Sequence, residues 1–456
     1  MGDASPAVAL SRPCPGPVAA LTFAGLGSVG EFDAPCRSCS GRNSGLSGRS
    51  RAVIDGWYAL VLELVRHTPT YSPPVASRAF AYLGITAWEA TAAANPALTS
   101  LAGQLHGLEP AADLPQGPLD LAVTLDAALS IAVPRLFANT GPTGQRAMTR
   151  MAARSASVSA ADLDPALLGS SRAAGVAIAN HVLNWSQEDG GAIVVNMGFP
   201  ETWPAPLQPG SWVPTSLIRQ QQTPLLPHWG TNRPFAIPTS DACALPPPPP
   251  FSTEPSSPFF AEAMATYTAV NTLTPETEAI ARFWSDDPML SPTPPGHWVT
   301  IARIALDMTN ADATTQADVL ARLGIAMADA MIGCWQSKYE FDLMRPVTYI
   351  RAHIDPAFDP LLITPPFPEY PSGHSTLSGA AAGVLTGLFG EPFAFVDTTH
   401  VDDGLGARAF PNFRSAAQEA GLSRLYGGIH FPAAITRGLE QGACIATYAS
   451  GLVTRP

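Results

Sequence analysis

Trp57, Leu60, Val61, Leu64 and Val65 recur three and four residues apart, the spacing that lines one face of an α-helix. Pro73-Pro74 then punctuates the chain, and a second helix is expected over about 75–94. The same periodicity predicts helices over about 119–137, 143–156 and 160–186. It returns with helices near 259–270, 275–285, 294–309, 315–342, 374–389, 412–426 and 432–450. The segment from 315 is the clearest, because Val319, Leu320, Leu323, Met327, Ala330, Met331, Cys334 and Trp335 share one face. Strand patterning is confined to short pieces such as Ala192–Asn196.

Two stretches break the helical pattern. Residues 1–50 are rich in Gly, Ser, Pro and Arg, cannot build a core, and are expected to form a disordered head. Residues 191–258 are crowded with proline, culminating in Pro246–Pro250, which excludes regular helix. They read as a crossover laid on the helical body and anchored by Trp203, Trp212 and Trp229; a free linker is the alternative. The expected architecture is all-α, with an N-terminal bundle over 51–190, the crossover over 191–258, and a C-terminal bundle over 259–456 that carries the chemistry.

Composition narrows the function. Of 456 residues, 46% are hydrophobic and only 14% charged, so most of the chain packs into a core. The apolar runs are interrupted before they reach a bilayer span, which predicts a soluble protein. A net charge of -12 argues against nucleic acid or an acidic membrane as partner. The head has one basic residue, Arg12, before a short apolar run, which makes a poor signal peptide. Compartment and oligomeric state stay open, a homo-oligomer included. Six cysteines are scattered, which argues against a disulfide framework. Cys36-x-x-Cys39 has the spacing of half a zinc site but lacks a second pair.

Three stretches concentrate anion-binding chemistry in an otherwise acidic chain. Lys338 and Arg345 stand seven apart, two helical turns, and Pro346 places Arg345 where the helix exits. Pro371-Ser372-Gly373-His374 precedes a helix of small residues, whose N-terminus offers free N–H groups to an anion. Gly373 admits close backbone approach, Ser372 brings a hydroxyl, and His374 can move a proton. Arg424 and His430 flank Gly427-Gly428, which ends one helix so that both can face one point. Each stretch alone has a bland reading, as a solvated face, a Ser N-cap or an ordinary turn. Jointly they suit a tetrahedral oxyanion.

These three stretches resemble the signature shared by vanadium-dependent haloperoxidases and type 2 phosphatidic acid phosphatases. The resemblance implies that Lys338, Arg345 and Arg424 neutralise the oxyanion while Ser372 and Gly373 donate hydrogen bonds to it. It implies His374 as the acid–base histidine and His430 as the apical vanadium ligand, or the nucleophile in a phosphatase. Trp335 and Phe367 resemble residues bordering the halide pocket of the chloroperoxidase branch. Asp287, in Phe283-Trp284-Ser285-Asp286-Asp287, resembles the partner of the site arginine, here Arg424. One departure stands out: Ala434 occupies the position, four beyond the last histidine, where the superfamily usually carries Asp. That counts against the phosphatase and leaves the second nitrogen of His430 without an assigned partner.

The resemblance therefore implies an enzyme that holds vanadate and oxidises halide with hydrogen peroxide to hypohalous acid, with an organic acceptor left open. The alternative is an acid phosphatase on the same scaffold, with no cofactor, phosphate as the substrate group, and a phosphohistidine at His430.

Overall fold

A computed structural model describes residues 44–160, 162–193, 202–204, 208–219 and 222–456. Its helices are α1 (Ser44–Arg66), α2 (Pro73–Ala94), α3 (Leu121–Leu136), α4 (Pro142–Ser159), α5 (Pro165–Ser186), α6 (Pro258–Asn271) and α7 (Pro275–Phe283). They continue with α8 (Thr293–Met308), α9 (Ala313–Phe341), α10 (Pro346–His353), α11 (Gly373–Phe389), α12 (Phe413–Tyr426) and α13 (Pro432–Ser450). Proline opens most of them, where its missing N–H costs nothing. Among the described residues the fold is all-α but for one short ribbon, β1 (Phe395–Asp397) against antiparallel β2 (Arg408–Phe410), with Phe395 opposite Phe410. Strands of three residues are too short for alternation to betray them in sequence.

Residues 43–456 pack as one unit, with α2 of the first expected bundle lying along α9 of the second. Glycine permits the contact. A Cβ on Gly84 would sit 2.7 Å from the Leu320 carbonyl, and one on Gly324 2.7 Å from that of Phe80. From Gln316 to Trp335 every residue of α9 is buried, polar ones included. It is the axle of the fold, and its last turn delivers the site. α11 and α13 cross as closely, since a Cβ on Gly442 would collide with the Thr376 carbonyl.

Helix begins before the expected boundary at 51. Residues 44–50 already belong to α1, where Arg49 pairs with Asp120 at 2.9 Å and Ser50 is buried. Docking on α3 outweighs weak local propensity. Residues 1–43, with Cys36 and Cys39, lie outside the described residues, as do 194–196 of the expected strand; Ala192 and Ile193 sit in a turn.

In the proline-rich segment Trp212 and Trp229 are buried, and Trp203 meets Tyr339 edge-on at 5.1 Å. Asp329 of α9 accepts the backbone N–H groups of Phe235, Ala236 and Ile237 at 2.7, 2.8 and 3.0 Å. A disulfide, unexpected from the scattered cysteines, joins Cys243 of this segment to Cys444 of α13. No helix among the described residues is long and apolar enough to cross a membrane.

Candidate active site

Lys338 occupies the last turn of α9, which Asp342 stops by turning left-handed at φ 46°. Arg345 then caps α10, a helix that the periodicity did not reveal, because Pro346 must begin it. Ser372 is the N-cap of α11, its hydroxyl oxygen accepting the Ser375 N–H at 3.3 Å. The hydroxyl hydrogen stays available for donation. Arg424 lies in the last turn of α12, Gly428 turns at φ 75°, and His430 stands just before α13. The three cations and two histidines thus come from helix ends, where backbone turns hold them rigidly.

The side chains meet as the three stretches require. Arg345 Nη1 lies 3.2 Å from His430 Nε2 and donates to the Ile429 carbonyl at 2.9 Å, while its Nε donates to the Phe367 carbonyl at 2.8 Å. Arg424 Nη1 donates to His374 Nε2 at 2.9 Å and to the Trp284 carbonyl. Lys338 Nζ donates to the carbonyls of Pro368 (2.9 Å), Glu369 (3.0 Å) and Pro371. Lys338, Arg345, Ser372, Arg424 and His430 are all buried.

Glu369 supplies the partner that Ala434 cannot. Its Oε1 accepts His430 Nδ1 and the Phe431 N–H, both at 2.8 Å. This bond puts the ring proton on Nδ1 and leaves the Nε2 lone pair facing Arg345, the tautomer a metal ligand needs. Ala434 contributes only its carbonyl, which accepts the Ser372 N–H at 3.0 Å.

Burial sets the electrostatics. It pulls Lys338 down to about 7 and Arg345 and Arg424 each to about 10, all from above. Burial, with Arg424 beside His374 and with Arg345, Lys338 and Arg424 around His430, holds both rings well below the usual histidine range. Burial lifts Glu369 to about 7 against the pull of Phe431, Arg345 and Lys338. Three buried cations with one carboxylate among them form a pocket short of negative charge. Arg345 Nη2 and Arg424 Nε, both buried, find no partner among the described residues. A Cβ on Gly373 would meet Lys338 Cε and Trp335 at ordinary contact distances of 4.0 and 3.7 Å, so only hydrogen separates that backbone from the pocket. These features fit a tetrahedral oxyanion that the cations would hold and that His430 Nε2 could reach.

The lowered Lys338 gives a pH dependence whose sign is fixed. Below about pH 7 the amine is charged and attracts an anion; above it the charge is lost. Sulfate, whose own charge does not change there, should bind more weakly as pH rises through 7, and Lys338→Met should make the curve shallower, leaving the part due to Glu369, which gains its negative charge over the same range. Calorimetric titration reads both, and a flat profile in the unmodified protein removes Lys338 from the pocket.

Trp335 and Phe367 pack with ring centroids 5.0 Å apart and planes tilted by 49°, with Lys338 Nζ 6.0 Å from the first ring and 5.1 Å from the second. The Trp335 N–H is committed to the Leu225 carbonyl at 3.1 Å, so only carbon faces what lies beside Lys338. Asp287 differs from its expected part. It feels the charge of Arg424, yet no ion pair within 4 Å joins the two; the bonds recorded for that guanidinium go to Trp284 and His374.

The solved structure of a bacterial vanadium-dependent iodoperoxidase superposes with a TM-score of 0.80 at 37% sequence identity, covering 88% of this chain and 96% of that one. This chain belongs to the vanadium-dependent haloperoxidases. The family model described as the VCPO second helical-bundle domain matches residues 318–456, which hold all three stretches. Vanadium chloroperoxidase of Curvularia inaequalis is 33% identical over a match covering 22% of this chain and 20% of that protein. A holo-type bacterial vanadium-dependent chloroperoxidase shares the fold, with a TM-score of 0.63 at 17% identity over 86% and 95% of the two chains.

Two groups of this haloperoxidase's site escaped sequence reasoning. Glu369 stands as the lone acid of Phe367–His374, and that isolation among prolines was its only signal. The Trp284 carbonyl had none, since a backbone atom gains its role from tertiary packing alone.

Proposed function

We propose that this haloperoxidase uses hydrogen peroxide to oxidise halide to hypohalous acid, with vanadate as its cofactor. The observation that carries the reading is the buried His430 Nε2 lone pair set among three cations. Lys338, Arg345 and Arg424 would offset the charge of vanadate, Ser372 and the Gly373 backbone would donate hydrogen bonds, and His430 would supply the metal bond. Bound vanadium(V) supplies Lewis acidity with no change of oxidation state. His374, kept neutral by burial beside Arg424, would exchange a proton with peroxide at Nε2 once a bound anion draws off the Arg424 N–H that now occupies that nitrogen. Lys338, adjacent to both rings, would steer halide and stabilise developing negative charge. The carbon faces of Trp335 and Phe367 would strip water from halide, which makes it a better nucleophile.

Purified protein freed of vanadate should oxidise iodide or bromide with peroxide only after orthovanadate is added, and phosphate should compete for loading. Silence after reconstitution, together with brisk phosphomonoester hydrolysis, would return the reading to the phosphatase. The relatives named above are haloperoxidases, which favours the first outcome.

Halide choice should reside in the aromatic pair. Phe367→Asn is expected to change the relative rates with chloride, bromide and iodide more than it changes vanadate affinity. An equal change for all three halides would reduce Phe367 to core packing.

A further inference from the structure

Behind the site runs a buried chain of ionisable groups that the proposed chemistry does not use. His297 Nδ1 meets both oxygens of Asp286 at 3.0 Å, and its Nε2 meets Asp397 at 2.8 Å. Asp286 also accepts His400 Nε2 at 3.1 Å; His400 Nδ1 meets Asp403 at 2.9 Å, and Asp403 pairs with Arg66 at 2.6 Å. His297, Asp286 and Asp397 are buried. Asp286, a non-glycine residue, takes a left-handed φ of 50° to present its carboxylate.

The chain packs against the site at Trp284. The Trp284 ring lies flat on His297, with centroids 4.4 Å apart and planes at 16°. The carbonyl of Trp284 receives Arg424 Nη1, the same nitrogen that meets His374 Nε2 at 2.9 Å. We propose that His297 is a positioning residue, clamped between Asp286 and Asp397 so that the Trp284 resting on it holds its carbonyl against Arg424. The proposal rests on the reading of the anion pocket given above.

Burial pulls His297 down, but the two flanking carboxylates outweigh it and push the ring up to about 10, so it is a permanent cation at neutral pH. A cation under an indole face adds cation–π attraction to the stack. The clamp is stiff because its parts come from different elements: Asp286 from the loop after α7, His297 from α8 and Asp397 from β1. Thr399 steadies Asp397 by donating its N–H and hydroxyl at 2.9 and 2.6 Å. Asp286, His297 and His400 could also surround a metal ion. Direct N–H···O distances favour the clamp.

The test compares full-length wild type with His297→Gln, which can bond both carboxylates but offers neither charge nor ring. Its crystal structure should show the Trp284 carbonyl drawn away from Arg424. Orthovanadate should bind about ten-fold more weakly, the low end for losing a supporting group beyond the ligands. The vanadium NMR resonance of the bound ion should also shift, which a merely destabilised protein would not show. Should His297→Gln fail to fold, Asp397→Asn keeps the ring and loosens one jaw, and a smaller change in the same direction is expected. Unchanged Trp284 contacts with unchanged vanadate affinity would overturn the proposal, as would a stoichiometric transition metal bound by Asp286, His297 and His400 in the wild type. If the wild type itself binds no vanadate, the reading of the pocket falls, while the crystallographic comparison still decides the part played by His297.

Discussion

His430→Ala should fold normally and lose more than about a hundred-fold in vanadate affinity, and halide oxidation with it. Loss of a group that merely supports a metal ligand costs about 10- to 100-fold in affinity, so loss of the ligand itself exceeds that range. The fold should tolerate the change because the neighbours keep other partners. Glu369 Oε1 still accepts the Phe431 N–H, and Arg345 Nη1 still donates to the Ile429 carbonyl. Equilibrium titration with orthovanadate, alongside a thermal melt, separates binding from stability. Vanadate affinity equal to that of the wild type would remove His430 from the metal.

The second large effect is expected at Arg345. A hydrogen bond to a charged group is worth about 1.5–3 kcal/mol, and about 1.4 kcal/mol is a factor of ten. Arg345→Met should therefore weaken vanadate binding by about ten- to a hundred-fold. It should also lower stability, because the Phe367 and Ile429 carbonyls lose their donor. Arg345→Lys keeps the charge but not the planar fork and should fall between the two. If Arg345→Met binds vanadate like the wild type while melting earlier, Arg345 is a brace for two loops and not a cofactor ligand.

Both experiments address residues that stand out in the chain before any fold is known. Lys338, Arg345, Arg424 and the two histidines are legible because basic side chains at these spacings beside helix-ending residues together suit an anion in an acidic protein. The helices were legible for a similar reason, since a 3.6-residue period repeated along α9 leaves little choice of local structure. The failures were of another kind. α10 has only eight residues and too few turns to display a period. The first turns of α1 owe their helix to Arg49 finding Asp120, a partner 71 residues away.

Asp287 marks the boundary most clearly. Its motif suggests a bond to Arg424, but which groups a guanidinium meets is a matter of ångströms, set by a loop that turns left-handed at Asp286. In this fold the Trp284 carbonyl takes that bond and Asp287 acts only through its field. Glu369 shows the converse, with a carboxylate from a loop filling the place that Ala434 leaves empty in the first turn of α13.

By itself the sequence determined the inventory: an all-α body, a proline-rich crossover, and the cations and histidines of an oxyanion pocket. Periodicity and residue chemistry are local, and they survive in one dimension. Tertiary structure decided the pairings: Glu369 with His430, Arg424 with the Trp284 carbonyl and His374, and Asp286 and Asp397 with His297. Those depend on close helix crossings such as that of α11 and α13 at Gly442, which bring together groups far apart in the chain. Burial then strips water from them and makes each surviving partner decisive.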